Sequence, residues 1–204
     1  KPHFDAAMEN ADNFPAEVRA WLPSRKEERI VFLLPETYFI APGPQAAAEF
    51  VKSASSLWYD RIGSKIAADA APESVMKSGI LASLVEGEAK AADERPILAG
   101  IFLKRLEKNM RLQSCATVIY AWDELNIRKS RLSYRDLEIN SPYNTYLVGG
   151  LPPGPICAPS ESSWKSALEP EESDYLFFFA DREGRHVFSK SYEEHLAKQR
   201  RLGL

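Results

Sequence analysis

Glu86 and Glu88 stand two residues apart at the end of the apolar run Ile80-Leu81-Ala82-Ser83-Leu84-Val85. If that run is a helix, the two carboxylates part company. Residues three and four apart share a helix face, whereas residues two apart do not. Glu88 looks back on Val85, Leu84 and Leu81 and forward to Ala91 and Ala92; Glu86 looks back on Ser83 and Ala82 and forward to Lys90, a partner of opposite charge. Burial penalises the charged form of a carboxyl, raises its pKa and lets it donate a proton near neutral pH. Glu88 is therefore the first candidate for a general acid/base, and Glu86 the second. The competing structural account ends the helix near Gly87 and leaves Glu88 solvated or paired with Arg95.

Other chemistry is sparse. His3, His186 and His195 are scattered without metal-ligand spacing, and Cys115 and Cys157 form neither a CxxC nor a zinc set, so no metal site is expected. The two cysteines read as separate thiols, with one disulfide as the alternative. A Tyr-Asn pair, Tyr143-Asn144, opens the stiff segment Ser141-Pro142-Tyr143-Asn144-Thr145-Tyr146, followed by Gly149-Gly150-Leu151-Pro152-Pro153-Gly154-Pro155. Long ordered loops of this kind usually serve function. The glycines suggest a phosphate loop only superficially, since no Lys-Ser/Thr follows and the prolines lack N–H groups.

The elements that must position these residues follow from pattern. Ile30-Val31-Phe32-Leu33-Leu34 is strand-like by residue type. Phe50, Ala54, Leu57, Trp58, Ile62 and Ile66 recur at helical steps between Gln45 and Ala70. Pro96 suits the first turn of a helix carrying Leu98, Ile101, Phe102, Arg105 and Leu106. Residues 109–114, ending in Gln113-Ser114, read as a connector, and Val118 to Leu125 as another helix. Ser133 with Asp136 forms a capping box, and Ser160 and Ser191 open later helices. Tyr175–Ala180 reads as a buried strand turning at Asp181-Arg182-Glu183-Gly184 into a partner over 185–190.

The chain has 204 residues, 45% hydrophobic and 27% charged, enough for a proper core. A net charge of −3 gives no footprint for nucleic acid or an anionic membrane surface. No apolar run has the length of a membrane span. The chain opens at Lys1 without an initiator Met and is expected to be a fragment, with any anchor or targeting segment outside it.

Carboxyl, connector amide and Tyr-Asn loop together resemble the lysozyme-like lytic transglycosylases. The closer resemblance is to the endolytic murein transglycosylases, the MltG/YceG-like family. It rests on Phe32-Leu33-Leu34-Pro35-Glu36-Thr37-Tyr38, Leu81 to Glu88, Met110-Arg111-Leu112-Gln113-Ser114 with Thr117-Val118-Ile119-Tyr120, and the Tyr143-Asn144-Thr145-Tyr146 and Gly150-Leu151-Pro152-Pro153-Gly154-Pro155-Ile156 segments. It runs from Ile30 to the C-terminus. Where that family usually has Asp-Pro, this chain has Cys115-Ala116, which puts a local polar contact in doubt.

The resemblance implies an α+β fold, a mainly helical lysozyme-like core with a small antiparallel β element. It implies a catalytic domain over 30–204, with 1–29 the remnant of a LysM-like module or linker. The implied reaction is non-hydrolytic cleavage of nascent peptidoglycan between MurNAc and GlcNAc. The MurNAc 6-hydroxyl attacks its own anomeric carbon, leaving a 1,6-anhydro end. An intramolecular nucleophile replaces the second carboxylate of an ordinary glycosidase, so one Glu suffices. Glu88, with Glu86 as second choice, would be that acid/base; Gln113, Tyr143, Asn144 and Tyr146 would bind substrate. No cofactor is implied. The implied partners are glycan strands and cell-wall synthases (penicillin-binding proteins), with no nucleic acid. The implied place is the extracytoplasmic side of the inner membrane, on a single-pass anchor. Two rivals remain: a non-catalytic peptidoglycan-binding scaffold, and a hydrolytic muramidase using Asp123 or Glu138 as second carboxylate.

Overall fold

The computed structural model describes residues 2–203. Prolines punctuate its first part. Pro2 opens α1 (Pro2–Glu9), and Pro15 precedes the single-turn α2 (Ala16–Arg19). The strand expected over Ile30–Leu34 does not form. Lys26–Phe32 winds into a 3-10 helix instead, and Leu33 leaves it extended without a strand neighbour. The reason is packing: Val31, Phe32, Leu33 and Leu34 are all buried, and the turn packs against α1, α3 (Ala46–Arg61) and α4 (Pro72–Glu88). Length and composition alone do not separate such a run from a strand.

Helix α3 (Ala46–Arg61) is shorter than its periodicity suggested. It stops where Gly63 slips beneath the Trp58 and Tyr59 rings; a Cβ there would stand 2.7 Å and 2.8 Å from them. Pro72 starts α4 (Pro72–Glu88) at the position where a missing N–H costs nothing. Every residue from Gly79 to Val85 is buried, so α4 is not amphipathic near its end; it runs through the middle of the molecule. Its neighbours are α5 (Arg95–Glu107), α6 (Cys115–Asp123) and α7 (Glu161–Leu168). The expected cap of α7 is present, with Ser160 accepting from the Ser163 N–H. So is the Ser133–Asp136 capping box, over a 3-10 turn at Tyr134–Glu138.

The β element is a single antiparallel hairpin, β1 (Phe177–Ala180) with β2 (His186–Ser189), pairing Phe177 with Ser189 and Ala180 with His186. Helix α8 (Tyr192–Leu202) lies against it, capped by Ser191 and ended by Gly203 in the left-handed conformation. The fold is thus a mainly helical α+β arrangement with one small hairpin.

One aromatic cluster centres the core. Trp58 meets Phe32 at 4.9 Å, Trp164 at 5.2 Å and Trp21 at 6.3 Å, each edge to face. Met8, Phe14, Val18 and Trp21 join the same buried cluster as α3, α4 and α7, so no break in packing falls at residue 30. Among the described residues no helix is long and apolar enough to cross a membrane.

Candidate active site

The last turn of α4 and the first turn of α6 approach closely because residue 87 has no side chain. A Cβ on Gly87 would lie 2.7 Å from the Ala116 Cβ and 3.1 Å from Ile156. That approach lays the start of α6 against Glu88. Ser114 donates its hydroxyl to Glu88 Oε1 at 2.5 Å, and the Ala116 N–H donates to the same oxygen at 3.3 Å. No hydrogen bond from the described residues reaches Oε2. One carboxyl oxygen of Glu88 is thus held and the other is not.

Ser114 is itself fixed. Its N–H donates to Thr145 Oγ1 at 3.0 Å, its carbonyl accepts from Thr117 Oγ1 at 2.8 Å, and the two threonine hydroxyls share a bond of 2.9 Å. All three residues are buried. The hydroxyl of half-buried Tyr146 lies 3.2 Å from Cys115 Sγ. Burial pushes the Tyr146 phenol well above its usual range, and the neighbouring thiol and the Glu88 charge add to that, so it is a neutral donor at physiological pH.

Glu86 has a different task. Its Oε2 accepts the Ser160 N–H at 3.0 Å, the Ser160 hydroxyl at 2.5 Å and the Ser163 hydroxyl at 2.7 Å; its Oε1 faces Arg95 at 3.4 Å. Its ionic partner is therefore Arg95, not Lys90. The carboxylate sits at the N-terminus of α7, where the helix dipole favours negative charge. Burial alone would raise the Glu86 pKa. The bonds from Ser160 and Ser163, with the Arg95 charge, outweigh burial and hold it below the ordinary 4.5. The face argument from sequence does not separate the two glutamates, since both are half-buried at the end of α4; their hydrogen-bond partners do.

The other predicted residues divide. Gln113 is exposed beside the site, on a backbone with φ of +50°. Tyr146 stands near Glu88. Tyr143 and Asn144 are buried. Asn144 is 0% exposed; its Nδ2 donates to the carbonyls of Leu137 at 2.8 Å and Ile139 at 2.9 Å, and its Oδ1 accepts from the Tyr146 N–H at 3.0 Å. Its amide holds the loop's shape. Tyr143 is buried with its ring 4.6 Å from that of Tyr120 and its hydroxyl under Gly154. Sequence reasoning assigned no part to Ser114, Thr117 or Thr145. Their hydroxyls meet through a pairing between residues 114–117 and 145, far apart in the chain, which no local spacing announces.

A cleft of about 400 Å³ begins at Gly87 and Ala116 and runs over Ile119, Tyr120 and Ile156. Asp123 lies on its wall; Glu138 does not line it. Its lining mixes apolar side chains with the charged Asp123, Arg128 and Lys129.

A model of the YceG-like family matches residues 5–201. A protein of Bacillus subtilis named endolytic murein transglycosylase is 48% identical over 122 residues, covering 60% of this chain and 33% of that protein. One of Streptococcus pneumoniae with the same name is 39% identical over 118 residues, covering 56% and 21%. The matched stretch thus spans a third or less of the length of these curated relatives. The crystal structure of a YceG-like protein from Listeria monocytogenes superposes with a TM-score of 0.73 at 36% identity, covering 97% of this chain and 64% of that one.

Proposed function

Because the chain belongs to the YceG-like family, we propose that it is the catalytic part of an endolytic murein transglycosylase, with Glu88 as its single acid/base. The observation that carries this reading is the contrast at the end of α4. Both oxygens of Glu86 are engaged by α7 and Arg95, whereas Glu88 is held by one oxygen, and both its neighbour Gly87 and its donor Ala116 line a cleft.

In this mechanism Glu88 Oε2 gives its proton to the glycosidic oxygen as the bond from the MurNAc anomeric carbon to that oxygen breaks. The 6-hydroxyl of the same MurNAc then bonds to the anomeric carbon and returns its proton to Glu88. The proton count balances, no water is consumed, and the product carries a 1,6-anhydro end. The nucleophile is tethered to the reacting carbon, so proximity supplies what a second carboxylate supplies elsewhere. Ser114 and the Ala116 N–H steady Oε1 through both steps. Tyr146 donates to a sugar oxygen, and exposed Gln113 contacts hydroxyl or N-acetyl groups. Residues 1–29 are the remnant of a LysM-like module or linker, and the full-length protein acts outside the cytoplasm on a membrane anchor, beside the cell-wall synthases.

The test is digestion of peptidoglycan sacculi by the full-length protein, with product masses read by spectrometry. Anhydro-MurNAc ends are expected, absent with Glu88→Gln and present with Glu86→Gln. A specific observation favours one second reading: Asp123 lies on the same cleft, the place of a water-activating carboxylate in a hydrolase. Reducing MurNAc ends, lost in Asp123→Asn, would establish that reading and remove the first.

A further inference from the structure

Arg105 is 5% exposed on α5, and among the described residues no carboxylate bonds to it. A guanidinium so placed is costly unless its N–H groups are satisfied. Carbonyls take those of Nε and one terminal nitrogen. Its Nε donates to Leu176 at 2.7 Å, and one terminal nitrogen donates to Leu112 at 2.7 Å and Arg111 at 3.2 Å. The guanidinium also lies 5.5 Å from the centroid of the Phe177 ring. Burial pulls its pKa down, while Tyr146 and Glu88 are near enough to push it back up, and it remains a cation.

The carbonyls it grips have a particular place in the chain. Arg111 and Leu112 immediately precede Gln113, whose φ of +50° lies in the left-handed region that a side chain disfavours. A non-glycine residue keeps that conformation only where its surroundings impose it. From the far side the Gln113 N–H is held by the Thr145 carbonyl at 3.1 Å. The next residue is Ser114, whose hydroxyl bonds Glu88. The chain of contacts runs from a buried cation, through a strained turn, to the oxygen of the candidate acid.

We propose that Arg105 is a positioning residue for the reaction: by clamping the Arg111 and Leu112 carbonyls it holds the left-handed turn at Gln113 and so fixes the Ser114 hydroxyl on Glu88. Arg105 touches no substrate. The assignment rests on Glu88 being the acid.

The experiment is steady-state kinetics of the full-length protein on uncrosslinked glycan strands, with Arg105→Lys, Ser114→Ala and the double variant, normalised to folded protein by thermal melting. A lysine keeps the charge but cannot span carbonyls on two sides. In Arg105→Lys, kcat is expected to fall about 10–100-fold, the effect of sub-ångström misplacement of a reacting group, with KM within about twofold. The double variant is expected to be no slower than the slower single one, because both remove the same contact. Wild-type kcat in folded Arg105→Lys, an effect confined to KM, or losses that multiply in the double variant would each overturn the proposal. Should Arg105→Lys not fold, Arg105→Met replaces it; if neither folds, Arg105 is a folding residue and the proposal fails. Glu88→Gln, run alongside, separates the two levels. If it stays active, the functional reading falls and takes this one with it. If it is inactive while Arg105→Lys is unimpaired, only the role of Arg105 falls.

Discussion

Two glutamates on one helix end in opposite circumstances, and the difference has a measurable pH signature. Glu86 has a folded-state pKa below its ordinary 4.5. A depressed carboxylate pKa contributes stability that is fully present above the unfolded value and is lost as pH falls through the folded one. The protein is therefore expected to lose stability below about pH 4.5, and the thermal midpoint of Glu86→Gln is expected to depend less on pH in that range. At neutral pH the same variant should cost about 1–2 kcal/mol after allowance for solvent screening, lowering Tm by roughly 2–8 °C without loss of turnover. Melting curves from pH 3 to 7 check both statements. The unusual Cys115-Ala116 pair also acquires a local meaning. Ala116 offers Glu88 an N–H, which proline at that position could not.

At the scale of elements, the site is a meeting of two helix ends that a single methyl would part. Gly87→Ala puts a Cβ against Ala116 and Ile156 in a place with little room to yield. It should destabilise the protein by about 1–3 kcal/mol and, by moving the start of α6 off Glu88, lower kcat more than it raises KM. The proline-rich loop has its own keystone. Asn144→Ala leaves the Leu137 and Ile139 carbonyls and the Tyr146 N–H without partners, and is expected to cost about 2–4 kcal/mol, read by denaturant unfolding. Much at this scale was legible in the sequence: the helix of Glu88, Pro96 in a first turn, three serine caps and the hairpin all follow from local rules of spacing and capping. What was not legible depended on surroundings. The Ile30–Leu34 run has strand chemistry and no strand neighbour, and α4 looks one-sided in sequence only because Ser83 and Glu86 are polar. Ser83 is turned inward to hold the proline-rich loop, accepting the Ile156 N–H at 3.1 Å, just as Glu86 holds α7. Polarity signalled a solvent face where the fold uses it as internal fastening. Asn144 and Tyr143 carry the same ambiguity, since a side chain that shapes a loop and one that contacts a ligand have the same letter.

Over the whole molecule, the hairpin and α8 are tied back to the helical body through one buried carboxylate. Glu94, 3% exposed just before α5, accepts from the His186 N–H at 3.0 Å, pairs with His186 Nδ1 at 2.8 Å and meets Arg185 Nε at 3.0 Å. Glu94→Ala should loosen β1, β2 and α8 together, and hydrogen exchange is expected to show that unit opening before α3 and α4 do. Arg105 reaches the same unit through the Leu176 carbonyl, a second buried tie between the hairpin and the helical body. The N-terminal residues are bound just as firmly, through Phe14, Val18 and Trp21 in the common core. That core also carries its own optical reporter. Trp58 and Trp164 hold their rings 5.2 Å apart at 65°, close and skewed enough for their transitions to mix into a circular-dichroism couplet. Trp164 rides on α7, the helix whose first turn Glu86 fastens, so the strength of that couplet follows the docking of α7 beside α4. A solution titrated towards acid should lose the signal as Glu86 takes up its proton, making the seating of one helix visible in a spectrum.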